Sequence, residues 1–198
     1  MDNERLKKQI DFILEIDKEK NILRQTHITD YVRRENDAEH AWHMAVMVWL
    51  LKEYANREFD LAKAMMMALI HDVVEIDAGD AYAYDEKALK HQKEREDAAA
   101  KRIFALLPQE QGEELKALFY EFEENKTPEA QFVHAMDNFQ PLLLNDSNNG
   151  GDWRSHGVCL SQIMNRQKGT IHGSRQIWEA TQKIIQENVK KGNIKNPD

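Results

Sequence analysis

Residues that interrupt helices are scarce in this chain. Its 198 residues include only 8 glycines and 4 prolines. Between these glycines and prolines, apolar side chains recur at intervals of three and four residues, which is the spacing of one helical face. We see no run in which apolar and polar residues alternate, as they do in a half-buried strand. We therefore expect an all-α protein with roughly seven to nine helices, a number taken from apolar periodicity.

Apolar spacing places helices along most of the chain. They are predicted over residues 6–17, 38–56, 60–72, 90–107, 113–124, 127–144 and 174–190. Asp37 is the expected N-cap of the second helix, and Thr127 followed by Pro128 is expected to open the sixth. Loops or turns are predicted over residues 23–36, 79–80, 82–87 and 145–151.

The length of the chain fits one domain. A chain of 198 residues is long enough to bury a sizeable core. We expect a single helical domain over residues 1–198, with a site-bearing core at about 24–144 and a C-terminal extension at 145–198 that packs on it. Trp42 and Trp49 are expected in the core, because the helix that carries them is apolar nearly all round.

The net charge and the apolar runs of the chain indicate which partners and which compartment to expect. The formal net charge of -8 at pH 7 argues against binding of a nucleic acid polymer, which favours basic proteins, but not against binding of one nucleotide. The longest apolar run, residues 64–70, is too short to cross a bilayer. The first residues lack the apolar core of a signal peptide, and a single cysteine, Cys159, excludes an internal disulfide. We expect a cytoplasmic protein with no membrane partner.

Two histidines and two aspartates form a candidate metal site. His71 and Asp72 end an apolar helix, His40 precedes them, and Asp137 follows in a helix that is predicted to be buried. A buried charge needs a strong partner, and a cation would be one. Imidazole and carboxylate ligands suit a divalent transition metal with open coordination positions, and Mn, Fe, Co, Ni and Zn are all compatible. We predict one such ion on these four side chains, although His43, on the same helical face as His40, remains an alternative ligand.

Acidic residues beyond the predicted ligands are candidates for proton transfer. Glu75 lies one helical turn after Asp72, where its carboxylate could take a proton from a metal-bound water or give one to a leaving group. Asp80 could assist the same step or orient a sugar hydroxyl. The order His, His-Asp, Asp therefore points to metal-assisted hydrolysis.

Arginines before the first histidine are candidate substrate ligands. Arg24, Arg33 and Arg34 all precede His40. A guanidinium group binds phosphate oxygens through two parallel hydrogen bonds. We predict that at least one of the three contacts a substrate phosphate, and the sequence leaves open which one.

Two segments resemble motifs of the HD-domain metal-dependent phosphohydrolase superfamily. Residues 34–40 read RENDAEH, which is similar to the segment that precedes the first histidine in the 5′-deoxynucleotidase group. Residues 71–80 read HDVVEIDAGD, which is similar to that group's second motif, His-Asp-x-x-Glu-x-x-x-Gly-Asp. The resemblance extends over about residues 24–137.

The resemblance implies a fold and an activity. It implies a helical HD-domain bundle whose metal is held by residues matching His40, His71, Asp72 and Asp137, with catalytic carboxylates matching Glu75 and Asp80. It also implies hydrolysis of deoxynucleoside 5′-monophosphates to deoxynucleoside and phosphate. Proteins of this group are often dimeric, so a homodimer is expected.

Two other functions remain open at this point. Members of the group often carry an Arg-Trp or Arg-x-x-Trp element before the first motif, whereas residues 24–27 read RQTH and lack the tryptophan. The substrate could therefore be another phosphate ester or nucleotide. The second alternative is a noncatalytic helical module that binds a nucleotide, in which the metal would be structural and closed by four protein ligands.

Overall fold

The computed structural model describes residues 3–80 and 91–196. The loop predicted over residues 82–87 and the first residue of the helix predicted from residue 90 lie outside the described residues. The α-helices in chain order are α1 (Glu4–Ile16), α2 (Asp37–Leu51), α3 (Leu61–Ile70), α4 (Glu75–Ala78), α5 (Gln92–Phe104), α6 (Gln109–Glu124), α7 (Pro128–Ser147), α8 (Gly151–His156), α9 (Leu160–Gln167), α10 (Thr170–Gly173) and α11 (Arg175–Lys190). Short 3-10 helices follow α1 and α2, at Asp17–Asn21 and Lys52–Tyr54.

The prediction of an all-α protein is confirmed. Within the described residues, nine α-helices have six residues or more, at the upper end of the expected number. Over the same part of the chain, none of the helices combines the length and the apolar character needed to span a bilayer.

The prediction that the chain has no strand is wrong between α1 and α2. Residues predicted as a loop form a hairpin of β1 (Leu23–His27) and β2 (Arg34–Asn36), which pair antiparallel with Leu23 opposite Asn36. Every residue of β1 is partly or fully exposed. The strand therefore has no buried face, and the alternation that would have revealed it is missing.

The N-cap of α2 is Asn36, and the prediction of Asp37 is wrong by one residue. The Asn36 side chain accepts from the Glu39 backbone N–H at 2.9 Å, and the Glu39 carboxylate accepts from the Asn36 N–H at 3.2 Å. This reciprocal pair is a capping box. Asp37 is instead the first residue of the helix, is fully buried, and pairs with Arg24 at 3.3 Å.

The predicted starts of two helices are confirmed. Asp60 caps α3 by accepting from the Lys63 N–H at 3.1 Å. Thr127 caps α7, with Pro128 in the first helical position. The helix α7 runs three residues past the predicted end, to Ser147, and carries Pro141 in its interior.

The main core lies between α2, α3 and α7. Met44, Val48, Met67 and Met136 are fully buried there. This packing brings together the first turn of α2, the end of α3 and the middle of α7. Those are the three positions that carry the predicted metal ligands.

The C-terminal part of the chain contributes to the same core. Trp153 of α8, Ile163 of α9 and Ile185 of α11 are buried in the cluster that α2, α3 and α7 form. At Gly173 of α10, an added Cβ atom would lie 2.1 Å from the backbone oxygen of Gln131 on α7. Only glycine permits so close an approach of the two backbones.

The prediction that Trp42 and Trp49 lie in the core is wrong. The side chains are 64% and 52% exposed. They share the outer face of α2 with Val46 and Leu50, which are 37% and 55% exposed. The helix therefore carries two apolar faces, one packed in the core and one directed to solvent.

Candidate metal centre and its cleft

The predicted ligands come from three helices and converge. His40 lies in the first turn of α2, His71 and Asp72 directly follow α3, and Asp137 lies in the middle of α7. His40 Nε2 lies 3.2 Å from an Asp137 oxygen and 3.9 Å from an Asp72 oxygen. His71 Nε2 lies 3.1 Å from the same Asp72 oxygen and 3.9 Å from the same Asp137 oxygen. Two imidazole nitrogens and two carboxylates thus face one point.

The two histidines each bond through Nδ1 to a neighbouring oxygen, which turns Nε2 toward the two carboxylates. His71 Nδ1 lies 2.9 Å from the Ala68 carbonyl, which can only accept, so Nδ1 carries the proton. His71 Nε2 is buried and has no hydrogen-bond partner within residues 3–80 and 91–196. His40 Nδ1 lies 3.0 Å from the side-chain oxygen of Gln140, which fixes the same tautomer. Burial would lower the pKa of His71, but the charge of Asp72 raises it to about 9 when no metal is bound. A divalent cation would take the place of the Nε2 protons, and two imidazoles with two carboxylates fit such a cation.

Charge in the site keeps the two aspartates ionised. Burial would raise the pKa of Asp72, but the charges of His71 and Arg24 bring it well below its usual value. Burial would also raise the pKa of Asp137, but Arg166 and His40 hold it well below its usual value. Both side chains therefore present anionic oxygens to a metal.

A second group of carboxylates adjoins the ligands. Asp37, Asp72 and Glu75 each place one oxygen within 4.8 Å of the others, and this group could also hold a cation. Burial and the charge of Asp72 raise the pKa of Asp37 to about 7 and that of Glu75 well above its usual value. Carboxyl groups with such pKa values can carry a proton near neutrality.

The predicted catalytic carboxylates are Glu75, which belongs to this group, and Asp80. Glu75 opens α4, and the helix ends at Gly79, whose φ of 75° suits glycine and turns the chain toward Asp80. Burial is the main cause that raises the pKa of Asp80. Both carboxylates line a cleft of about 250 Å³ whose lining also includes His71, Asp72 and Asp137.

The three predicted arginines are separated by the fold. Arg24 lies in the cleft and pairs with Asp72 at 2.7 Å. Arg33 is half exposed and forms a bidentate pair with Glu39, at 2.6 and 2.8 Å. Arg34 is exposed in β2. The structure thus brings Arg24 to the metal ligands and leaves Arg33 and Arg34 outside the cleft.

His27, three positions after Arg24, is engaged in contacts within the chain. The His27 ring stacks on Tyr31 with 4.1 Å between centroids, and Nδ1 lies 2.6 Å from a carboxylate oxygen of Asp152. Asp152 also accepts from the His27 backbone N–H at 2.9 Å. His27 therefore ties the hairpin to α8.

Two residues of the site were not found from the sequence. Gln140 bonds His40 from α7, and its position one helical turn after Asp137 is a signal that spacing could have revealed. Arg166 of α9 donates to Asp137 at 2.7 Å and lines the cleft. It lies 29 residues from Asp137 in sequence, on a short helix after the glycine-rich break, so no local pattern points to it.

Comparisons with known proteins agree with this geometry. The family model described as HD domain matches residues 16–178. The human 5′-deoxynucleotidase HDDC2 is 32% identical over 111 residues, which cover 56% of this chain and 53% of that protein. The Schizosaccharomyces pombe 5′-deoxynucleotidase hdd1 is 32% identical over 113 residues, covering 54% and 55%. The chain thus spans about half the length of the curated relatives it matches.

A solved structure covers nearly the whole chain. A protein of Magnetospirillum magnetotacticum MS-1, described as a predicted metal-dependent phosphohydrolase, has a TM-score of 0.93 and 44% sequence identity. The match covers 97% of this chain and 96% of that one. The match therefore includes both the helices that carry the predicted metal ligands and the helices of the C-terminal part.

Proposed function

The chain belongs to the HD domain family, and from that premise we propose that it is a metal-dependent phosphohydrolase that releases phosphate from deoxynucleoside 5′-monophosphates. The observation that carries this proposal is the buried, unpartnered Nε2 of His71, which faces two carboxylates at one side of an open cleft. The names of the curated relatives supply the substrate class.

The residues that would hold the metal are His40, His71, Asp72 and Asp137. A bound divalent cation supplies a Lewis acid for a phosphoryl oxygen and lowers the pKa of a water ligand. We propose one transition metal ion, with Mn, Fe, Co, Ni and Zn compatible with these ligands. Arg24 fixes the orientation of the Asp72 carboxylate by donating to its Oδ2, at 2.7 Å.

Proton transfer is assigned to Glu75, with Asp80 in support. The Glu75 carboxyl is nearly buried, and its Oε2 has no hydrogen-bond partner among the described residues. Its raised pKa lets it hold a proton at that oxygen and pass it to a leaving 5′-oxygen. Asp80 lies at the same edge of the cleft, where it can bind a sugar hydroxyl.

A panel of phosphate esters tests this function. The purified protein, loaded with Co²⁺ or Mn²⁺, is expected to release phosphate from deoxynucleoside 5′-monophosphates. Glu75→Gln is expected to lose that activity and to keep its metal, with Glu179→Gln on the exposed face of α11 as the control. Absence of phosphate release from every deoxynucleotide, with metal bound, would exclude the proposal.

A second substrate class is supported by His27. Since this residue is engaged with Asp152 and Tyr31, it offers no free ring for stacking on a nucleoside. Another phosphate ester or nucleotide could then occupy the same site. Ribonucleotides, cyclic nucleotides, nucleoside triphosphates and sugar phosphates belong in the same panel, and identification of the products separates the two classes.

We also propose a homodimer that forms through the outer face of α2. Trp42, Val46, Trp49 and Leu50 recur there at helical spacing and are all more than a third exposed. A contiguous apolar face of this kind marks interfaces more often than free surface. The proposal concerns the assembly alone, since the residues of the candidate metal site all come from one chain.

A further inference from the structure

The cleft lining contains one cationic side chain, Arg166, that takes no part in the function proposed above. Arg166 lies on α9, beyond the motif-bearing segments, and donates through Nη2 to Asp137 Oδ2 at 2.7 Å. Its side chain is nevertheless 40% exposed. The guanidinium group therefore touches a metal ligand from the open side of the cleft.

The two arginines that line the cleft differ in their exposure and in how many of their N–H donors already have a partner. Arg24 is 12% exposed, and its Nη1 spans Asp72 at 2.7 Å and Asp37 at 3.3 Å. Among the described residues, Arg166 donates a hydrogen bond only to Asp137, which leaves most of its five N–H donors available in the cleft lining. Among the described residues that line the cleft, these two supply all the arginine and lysine side chains.

The remaining charge of the cleft is strongly negative. Acidic side chains in its lining are Asp72, Glu75, Asp80, Glu96, Glu123, Asp137 and Asp152. A phosphomonoester is itself an anion, so most of this lining repels it. An exposed guanidinium beside the metal ligands offers such an anion a cationic partner whose planar fork matches two phosphoryl oxygens.

We propose that Arg166 binds the phosphoryl group of the substrate, with one nitrogen retained on Asp137 and the others directed to phosphoryl oxygens. The substrate class is a phosphomonoester, so this inference rests on the proposed function. Arg166 would place the phosphorus atom next to the metal ligands and offset the repulsion from the ionised carboxylates of the lining. Its contact with both Asp137 and the substrate makes it part of the binding site.

The test uses inorganic phosphate, which is the expected product, as a probe of binding. Titration calorimetry on the metal-loaded protein compares wild type with Arg166→Gln and Arg166→Lys. The matched control is Arg175→Gln, an exposed arginine on α11. Metal content is measured on every sample, because Arg166 touches a ligand.

We expect the dissociation constant for phosphate to rise about tenfold to hundredfold in Arg166→Gln, as for loss of a charge-assisted hydrogen bond. Arg166→Lys should lie between this variant and wild type, since lysine keeps the charge but not the fork. For the preferred deoxynucleotide, KM should rise by a similar factor while kcat changes less. Added guanidinium ion should partly restore phosphate binding to Arg166→Gln, which a purely structural role would not allow.

Two outcomes would overturn the inference. One is unchanged phosphate affinity in metal-loaded Arg166→Gln or Arg166→Lys. The other is loss of metal from both variants, because Arg166 would then act by holding Asp137. If the wild-type protein hydrolysed no phosphate ester, the proposed function would fail, and the phosphate titration would still decide the role of Arg166.

Discussion

The side-chain oxygen of Gln140 lies 3.0 Å from Nδ1 of His40, and both side chains are completely buried. The Gln140 amide nitrogen donates in turn to Glu35 at 2.6 Å. Because that nitrogen is committed to a carboxylate, the amide oxygen must face His40. This chain of contacts fixes the His40 ring so that Nε2 faces Asp137.

We predict that Gln140→Leu weakens metal binding. Leucine is similar in size but cannot accept from His40 Nδ1, so the ring loses its fixed orientation. Loss of such a partner typically costs about 10- to 100-fold in metal affinity. Competition with a fluorescent chelator measures the affinity, and Gln176→Leu on the exposed face of α11 is the control. Wild-type affinity in Gln140→Leu would contradict the prediction.

Removal of a proposed metal ligand should reduce metal binding more than Gln140→Leu does. In His71→Ala the buried nitrogen that faces Asp72 is absent, and we expect the purified protein to lose its metal and its phosphate release. Treatment of wild type with a chelator should have the same effect, and added Co²⁺ or Mn²⁺ should reverse it. The exposed His172 supplies the control variant His172→Ala. Retention of stoichiometric metal by His71→Ala would remove His71 from the ligand set.

The convergence of the four predicted ligands was open to prediction because each carries a local signal. His71 and Asp72 end an apolar helix, and Asp137 interrupts another, so each charge stands out against its surroundings. Their spacing along the chain also matches a known motif order. The packing of α2, α3 and α7 then places the four residues around one point.

The residues that support the ligands carry no comparable signal. Arg166 meets Asp137 across 29 positions of sequence, and only the packing of α9 on α7 creates that contact. Asp37 reads as a surface cap, yet it is buried because Arg24 crosses from the hairpin to pair with it. Pairings of this kind depend on the register of the whole fold, which local propensity does not encode.

The apolar residues of α2 do not by themselves show whether the whole helix is buried, and the reason is physical. Periodicity measures where apolar residues lie around a helix and not what covers them. One face of α2 packs on α3 and α7, whereas Trp42 and Trp49 remain exposed. A helix at the centre of a larger core would show the same apolar pattern, so the pattern alone could not distinguish the two cases.

The capping box at the start of α2 should contribute measurably to stability. We expect Asn36→Ala to lower the free energy of unfolding by about 1 kcal/mol, because it leaves the Glu39 N–H without its acceptor. In a domain of this size the melting temperature should fall by about 2–4 °C. Asn36→Ser keeps an acceptor and should change stability much less. Equal stabilities of Asn36→Ala and wild type would show that the cap is dispensable.

Glu19 gives the metal-free protein a specific pH dependence. Glu19 is 6% exposed, and its Oε1 has no hydrogen-bond partner in the part of the chain that the structure describes. Burial, together with the charges of Asp72 and Asp37, raises its pKa from 4.5 to about 8. The folded protein therefore holds a proton on Glu19 that the unfolded chain releases between these two pH values. Stability from this group is complete below pH 4.5 and is lost as the pH rises toward 8.

Glu19→Gln should remove that loss, since glutamine is neutral at every pH. We expect chelator-treated Glu19→Gln to be more stable than wild type at pH 8 by about 4 kcal/mol, and the difference to shrink toward pH 4.5. Urea unfolding at several pH values measures it, with the exposed Glu179→Gln as control. A stability difference that does not vary with pH would rule out titration of Glu19 as its cause.

The outer face of α2 leads to a prediction about assembly. Trp42 and Trp49 are 64% and 52% exposed, and a large apolar side chain gains free energy when a partner covers it. We expect wild type to sediment as a dimer and the double variant Trp42→Ser, Trp49→Ser to sediment as a monomer with its metal content unchanged. Ile171→Ser, at another exposed apolar residue, is the control. A monomeric wild type at micromolar concentration, or a dimeric double variant, would place this face outside any stable interface.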